Sequence, residues 1–152
     1  MISVHRMHCI QIVENVNEHW KLYTSVIYDR FDEFLLLLKY GADPNLIMKQ
    51  PGFSNSLIDG SIRHNADVKW IKALFIAGMS PYQSVTQTKN TARARELLEE
   101  VQKQKSTPRR LKERARHVIR KHLRFGRSFE IMPLPLPAKL CNYLKYPELF
   151  YL

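Results

Sequence analysis

Leu37-Leu38-Lys39-Tyr40-Gly41-Ala42-Asp43-Pro44-Asn45, LLKYGADPN, is the phrase from which the fold follows. Ahead of its glycine, Phe31, Phe34, Leu35, Leu37 and Leu38 recur at helical spacing and make one apolar face that stops at Gly41. Further upstream Leu22, Val26 and Ile27 make a shorter face, and Asp29 and Arg30 separate the two. Two helices therefore meet at a tight turn. The arrangement returns 37 residues later: Phe31, Phe34, Leu37, Leu38 and Gly41 line up with Val68, Ile71, Leu74, Phe75 and Gly78. Gly41-Ala42-Asp43-Pro44 is echoed by Gly78-Met79-Ser80-Pro81.

A helix pair that repeats at this period, closing on LLKYGADPN, resembles an ankyrin repeat. In that family a glycine takes the left-handed C-cap and Ala-Asp-Pro-Asn begins a projecting loop. The unit is about 33 residues long, so the second copy carries a few extra, placed most simply between Met48 and Ser54. Asn55-Ser56-Leu57 stands where the family has Thr-Pro-Leu-His, and Gly60 and Ser61 are the small residues that let paired helices approach closely. Trp70 and Phe75 fall on the face that repeats bury, so both read as core. After a polar, turn-like stretch from Tyr82 to Asn90, Ala94, Leu97, Leu98 and Val101 return at helical spacing among Glu96, Glu99 and Glu100. This helix is expected to cap the stack. Three units are the usual minimum for such arrays, so two repeats imply either a truncated form of a longer protein or a C-terminal segment that packs on the last repeat and completes the core. At the other end, Met1 to Asn17 contains His5, His8 and Cys9, which lack a fourth metal ligand. It reads as a terminal cap, with Ile10, Ile12, Val13 and Val16 touching the first helices.

Downstream, Thr107 can cap and Pro108 can enter the first turn of a new helix. Leu111, Ala115, Ile119 and Leu123 follow at intervals of four, Val118 widens the strip, and the opposite face is rich in arginine. Gly126 stops this helix. Then comes Ile131 to Leu144, IMPLPLPAKLCNYL, in which Pro133, Pro135 and Pro137 fix φ and lack amide donors. That predicts an extended, polyproline-like strip presenting Leu134 and Leu136. Pro137 opens a short helix with Leu140, Tyr143 and Leu144 on one face.

The two segments together resemble a SOCS box. Leu111, Ala115 and Ile119 fit its elongin C binding helix, with Arg110 before the leucine and Arg114 where a second leucine is common. Ile131, Leu134, Pro135, Leu136, Pro137, Leu140, Tyr143 and Leu144 match its second half, apolar-x-x-Leu-Pro-apolar-Pro-x-x-apolar-x-x-Tyr-Leu. The resemblance implies an all-α chain: a short ankyrin solenoid over residues 1–88, a capping helix and linker over 89–105, a three-helix SOCS box over 106–147, and a tail over 148–152. It further implies a non-catalytic adaptor of a ubiquitin ligase. Leu111, Ala115 and Ile119 would meet elongin C, itself bound to elongin B. Leu134, Pro135, Leu136 and Pro137 would meet cullin-5 with its RING partner, while Ile131, Leu140, Tyr143 and Leu144 hold the box together. A protein target, unidentified from sequence, would be held by the projecting loops and the concave helix face. Asp43, Asn45, Phe53, Met79 and Tyr82 are the candidate residues.

Composition fits this picture. The chain has 152 residues, 45% of them hydrophobic, enough for one ordinary core and an appendage. Two distant cysteines, Cys9 and Cys141, give neither a disulfide framework nor a metal cluster and suit a reducing compartment. No apolar run reaches the roughly 20 residues of a membrane span, and no secretory leader pattern opens the chain. A cytoplasmic place is expected, with the nucleus also open. No metal, cofactor or catalytic residue is expected, since no P-loop, GxSxG, HExxH or paired CxxC occurs. The net charge of +10 is local: residues 101–127 hold eleven Lys or Arg against Glu113, and the remainder balances at 13 against 13.

Two other readings compete. Nucleic-acid binding through the basic helix 103–127 would use that charge. However, aromatics are not interleaved with it until Phe125 and Phe129, and no recognition motif accompanies it. A solvated helix face beside an acidic partner accounts for the same residues, with His117 and His122 on its surface. An ankyrin scaffold without ligase assembly is the second alternative, and a proline-rich ligand for an SH3 or WW domain has only Pro133 to Pro137 in its favour.

Overall fold

In the computed structural model, residues 18–45, 47–50, 53–86, 90–123 and 134–152 are described. His5, His8, Cys9, Ile10, Ile12, Val13, Val16, Phe125, Gly126, Phe129, Ile131 and Pro133 lie outside them. The repeat is built as its apolar spacing requires. Helix α1 (Glu18–Ile27) buries Leu22, Tyr23 and Val26, and α2 (Phe31–Lys39) buries Phe34, Leu35, Leu37 and Leu38. In the second unit α3 (Leu57–Arg63) is buried from Leu57 to Ile62, and α4 (Val68–Ile76) buries Trp70, Ile71, Ala73, Leu74 and Phe75. Ser56 caps α3 by accepting from the Asp59 amide, and Asp67 caps α4 by accepting from that of Lys69.

All four helices stop in the same way. A residue with positive φ follows each: Asp29 at 52°, Gly41 at 97°, Asn65 at 53° and Gly78 at 103°. The next amide reaches back five residues, as in Arg30 to the Ser25 carbonyl, Ala42 to Leu37, Ala66 to Ser61 and Met79 to Leu74. This is the Schellman closure, which satisfies carbonyls the helix leaves free. Only the two glycines announce it in the sequence. Asp29 and Asn65 stand 36 apart, Gly41 and Gly78 37 apart, because α4 is preceded by one more turn residue than α2.

Between the units, Met48–Gln50 (β1) and Phe53–Asn55 (β2) pair antiparallel, Met48 opposite Asn55 and Gln50 opposite Phe53. The loop expected to absorb the extra residues thus contributes a short strand pair, beside which the described residues are otherwise helices and turns. The units stack through a close contact: a Cβ on Gly60 would lie 2.5 Å from the Tyr23 ring. Phe31 and Phe34 meet Trp70 with ring centroids 4.9 and 4.8 Å apart, which places Trp70 in the core as the spacing predicted.

Helix α5 (Ala92–Ser106), capped by Thr91, lays Ala94, Leu97 and Val101 against α3 and α4. Leu98, counted on that face, is exposed instead. Buried Asp59 ties the preceding loop down by accepting from the Thr86 amide and hydroxyl at 2.9 and 3.1 Å. The next helix starts later than predicted. Thr107 is the C-cap of α5, its amide bonded to the Lys103 carbonyl, because the residue before Pro108 is driven out of helical geometry. Helix α6 (Leu111–His122) begins three residues on, with the Arg110 amide donating to Glu113 Oε2.

After α7 (Ala138–Leu144), the five residues written as a tail are not one. Tyr146 adopts φ 53°, ψ 58° and reverses the chain, and Pro147–Tyr151 makes a 3₁₀ turn. Leu149 and Tyr146 are buried in the same core as the repeats, where this turn packs on α2 and α4. The C-terminal segment thus covers part of the two described helix pairs. Among the described residues no helix is long and apolar enough to cross a membrane.

Candidate docking face

Helix α6 is turned the opposite way from an ordinary amphipathic surface helix. Its buried residues are Arg116 and Arg120, while Leu111 is 83% exposed and Val118 56% exposed. Ala115 and Ile119 are exposed as well. The three residues expected to meet elongin C therefore share one uncovered face. The arginine face, expected to be solvated, is the one the fold covers.

The physical reason lies in what the arginines meet. Arg120 Nη1 donates to the Leu144 carbonyl at 2.9 Å, and its Nη2 to the Lys39 carbonyl at 2.7 Å. These are the C-terminal carbonyls of α7 and α2, the negative ends of two helices, so one guanidinium ties box to repeat. Arg116 Nη1 donates to the Tyr143 carbonyl and to both Glu148 oxygens at 2.7 and 2.9 Å. The Tyr146 ring lies between the arginines, with Arg116 Cζ 4.6 Å and Arg120 Cζ 4.4 Å from its centroid. Arg116 also lies 4.3 Å from the Tyr143 ring. Cation–π contacts of this desolvated kind contribute about 2 kcal/mol each. Burial holds the Arg120 pKa below the usual arginine range, and it raises that of Tyr146 against the pull of the two arginines.

His117 joins the same cluster, not the surface. Its Nδ1 lies 3.0 Å from the Tyr146 hydroxyl, which itself donates to the Ala77 carbonyl at the end of α4. With the hydroxyl proton directed at Ala77, Nδ1 is the donor to the tyrosine oxygen. Burial, with Arg109, Arg116 and Arg120 nearby, lowers the imidazole pKa to about 4. The ring rests on Gly78, where a Cβ would come within 2.8 Å of Nδ1. Arg109 adds a bond from Nη2 to the Met79 carbonyl. His122 is exposed, as predicted.

The second strip departs from the polyproline expectation. Leu134 to Leu136 bend, and the Leu136 amide, between Pro135 and Pro137, closes a tight turn onto the Leu134 carbonyl at 2.7 Å. The turn leaves Pro135, Leu136 and Pro137 exposed and Leu134 half-buried. Pro137 is the cap of α7. Of the support residues, Leu144 is buried and Tyr143 carries Lys112 and Arg116 on its ring, whereas Leu140 is 48% exposed beside the strip.

The loop residues divide differently from the expectation. Met79 is fully buried and belongs to the core. Asn45 is exposed but engaged within the chain: its Oδ1 accepts from the Ser80 amide at 2.7 Å, and its Nδ2 donates to the Gly78 carbonyl. Asp43 accepts from the Asn45 amide, a local turn that starts this bridge between the two repeat loops. Phe53 is described as a residue of β2. Tyr82, 75% exposed, remains a free projecting side chain. A cleft of about 530 Å³ separates these loops from α6, lined by Gly41, Asn45, Gly78, Val118, Lys121 and Tyr146 among others.

Against this geometry the comparisons are decisive for the C-terminal third, where the family model "SOCS box" matches residues 107–145. That segment is similar to the SOCS box, and the match over most of the chain is to proteins that carry ankyrin repeats and a SOCS box. The chain is 30% identical over 132 residues to ankyrin repeat and SOCS box protein 12 of Mus musculus, and 28% identical to that protein of Homo sapiens. Each match covers 82% of this chain and 43% of the relative, so the chain spans under half the length of these curated relatives. No solved structure matches it. In this segment and just beyond it, sequence reasoning missed Arg116, His117, Arg120, Tyr146 and Glu148. Their signal was the i, i+4 pair of arginines opposite the leucine strip, with two tyrosines and an acid in the segment that follows.

Proposed function

We propose that this chain is a non-catalytic substrate adaptor of a cullin–RING ubiquitin ligase, engaging elongin C, with elongin B, through α6 and cullin-5 through the Leu134–Pro137 strip. One observation carries the reading: α6 spends its arginines inside the fold and leaves Leu111, Ala115, Val118 and Ile119 in water. Contiguous exposed apolar strips mark interaction sites. Covering Leu111, Val118 and Ile119 contributes about 1.5 to 3 kcal/mol each before association costs, enough for a specific interface. Leu136 and Leu140, exposed four residues apart, support the cullin-5 contact. In this scheme the repeats hold a protein target, Tyr82 among the contacting residues, and chemistry takes place elsewhere in the assembly. Tethering acts by raising the effective concentration of the target's lysines near the conjugating enzyme.

The test is a pull-down with purified elongin B/C and cullin-5, comparing the intact chain with Leu111→Ala and with Leu134→Ala plus Pro135→Ala. The expected result is loss of roughly tenfold or more in elongin B/C affinity for the first, the usual cost of truncating a central apolar anchor. The second is expected to lose cullin-5 while keeping elongin B/C. Retention of both partners by both variants would remove the reading.

A further inference from the structure

The exposed face of α6 is not symmetric. At about 100° per residue, Leu111, Ala115, Val118, Ile119 and His122 share an arc of about 100°. Arg114 and Lys121 fall within about 20° of each other along the Val118 edge of that arc, and Arg110 stands at its N-terminal end. All three are exposed, and among the described residues none makes an ion pair. The other cations of residues 109–122 are engaged: Arg116 and Arg120 are buried, Arg109 is bonded to the Met79 carbonyl, and Lys112 on the far edge lies 4.2 Å from the Tyr143 ring. The one acid of the helix, Glu113, is directed at the Arg110 amide and at Arg109. What remains free is a single-edged rail of three positive charges beside an apolar strip, spanning 11 residues or about 17 Å.

We propose that the groove which receives α6 carries carboxylates along the one lip that faces Arg110, Arg114 and Lys121, and that this charged edge fixes the orientation of docking. The inference rests on the adaptor reading and adds the chemistry of the partner surface to it. A helix with an apolar strip alone could lie in an apolar groove in either direction. A one-sided rail makes only one direction complementary, because like-charge or unpaired juxtaposition costs the other. A nucleic-acid backbone fits less well. Three cations reach few phosphates, and the leucine strip beside them would be pressed against a hydrated, charged surface.

The experiment titrates the full chain with purified elongin B/C at 50 and 300 mM salt, using wild type, Arg114→Leu, Arg114→Glu, and Arg114→Gln with Lys121→Gln. Because these side chains are exposed, unchanged melting temperatures serve as the folding control. The expected result is wild-type affinity falling about five- to tenfold between the two salts. Arg114→Glu should lose about tenfold or more at 50 mM, and the double glutamine variant should lose most of the salt dependence. Arg114→Leu is the sharpest arm, since it extends the apolar strip while removing the charge. Tighter binding by that variant, or indifference to Arg114→Glu, overturns the acidic lip while leaving the adaptor reading intact. Absence of wild-type binding at either salt overturns both. A parallel titration with a 20-base-pair DNA duplex and poly(U) RNA at 150 mM salt is expected to show no saturable binding. Affinity for either that matches the elongin B/C value would reassign the rail to phosphate.

Discussion

Replacing Arg120 by Met keeps the length and apolar stem of the side chain and removes its donors and charge. Two buried carbonyls, those of Lys39 and Leu144, then lose their partner. Each costs about 1 to 3 kcal/mol when left unsatisfied. The contact with the Tyr146 ring, about 2 kcal/mol, goes with them. Against this, a buried charge and its repulsion from Arg116 are removed, so the sum comes to about 3 kcal/mol, at the lower end for breaking a buried polar link. For a chain of this size that is a fall of roughly 6 to 12 °C in melting temperature. Urea unfolding followed by circular dichroism measures it, with Arg114→Met as a control expected to stay within about 0.5 kcal/mol. Amide exchange adds a signature: protection should fall at the ends of α2 and α7 together, because the same guanidinium holds both. A loss under about 1 kcal/mol for Arg120→Met would refute the idea that this arginine joins box to repeats.

Gly60→Ala should destabilise by about 2 kcal/mol although alanine favours helices, because its Cβ would lie 2.5 Å from the buried Tyr23 ring. Thermal melts check this, and pairing it with Tyr23→Leu should recover part of the loss. The neutral His117 makes stability depend on pH. Its folded pKa of about 4 lies below the ordinary value of 6.5, so as pH falls from 6.5 towards 4 the unfolded chain gains a proton that the folded chain refuses. Stability contributed by the neutral ring is complete above the ordinary value and is lost through that window. The loss amounts to about 2 kcal/mol once partial exposure is allowed for. The difference in unfolding free energy between wild type and His117→Gln should shrink by about 1 kcal/mol from pH 7 to pH 5, and a constant difference would contradict it.

What was legible in the sequence followed from spacing. Phe34, Leu37 and Leu38, with their counterparts Ile71, Leu74 and Phe75, are buried as the period implied, and both closing glycines carry positive φ. Leu111, Ala115 and Ile119 were correctly grouped on one face, but periodicity states only that two faces differ, not which of them the fold covers. Arginine reads as solvent-facing because its charge is costly to bury. Arg116 and Arg120 escape that rule only because carbonyls at helix ends and a tyrosine ring, distant in sequence, meet them. The same blindness to distant partners placed Met79 among target contacts, when it fills the core, and gave no sign that exposed Asn45 bridges Gly78 and Ser80. Tyr146 could not be foreseen in its left-handed conformation before Pro147, a position that costs about 1 to 3 kcal/mol and is held by the arginines around it.

Gly78 carries two obligations at once. Asp29 and Asn65 prove that this chain tolerates a side chain at a left-handed helix end. At Gly78 that freedom is gone, because the imidazole of His117 occupies the space a side chain would need. The closing glycine of this repeat thus acts as a socket for the segment that follows. Transplanting the C-terminal segment onto a foreign helical array would require a bare backbone at the corresponding corner. A repeat ending in asparagine would close its own helix perfectly well and still refuse the graft.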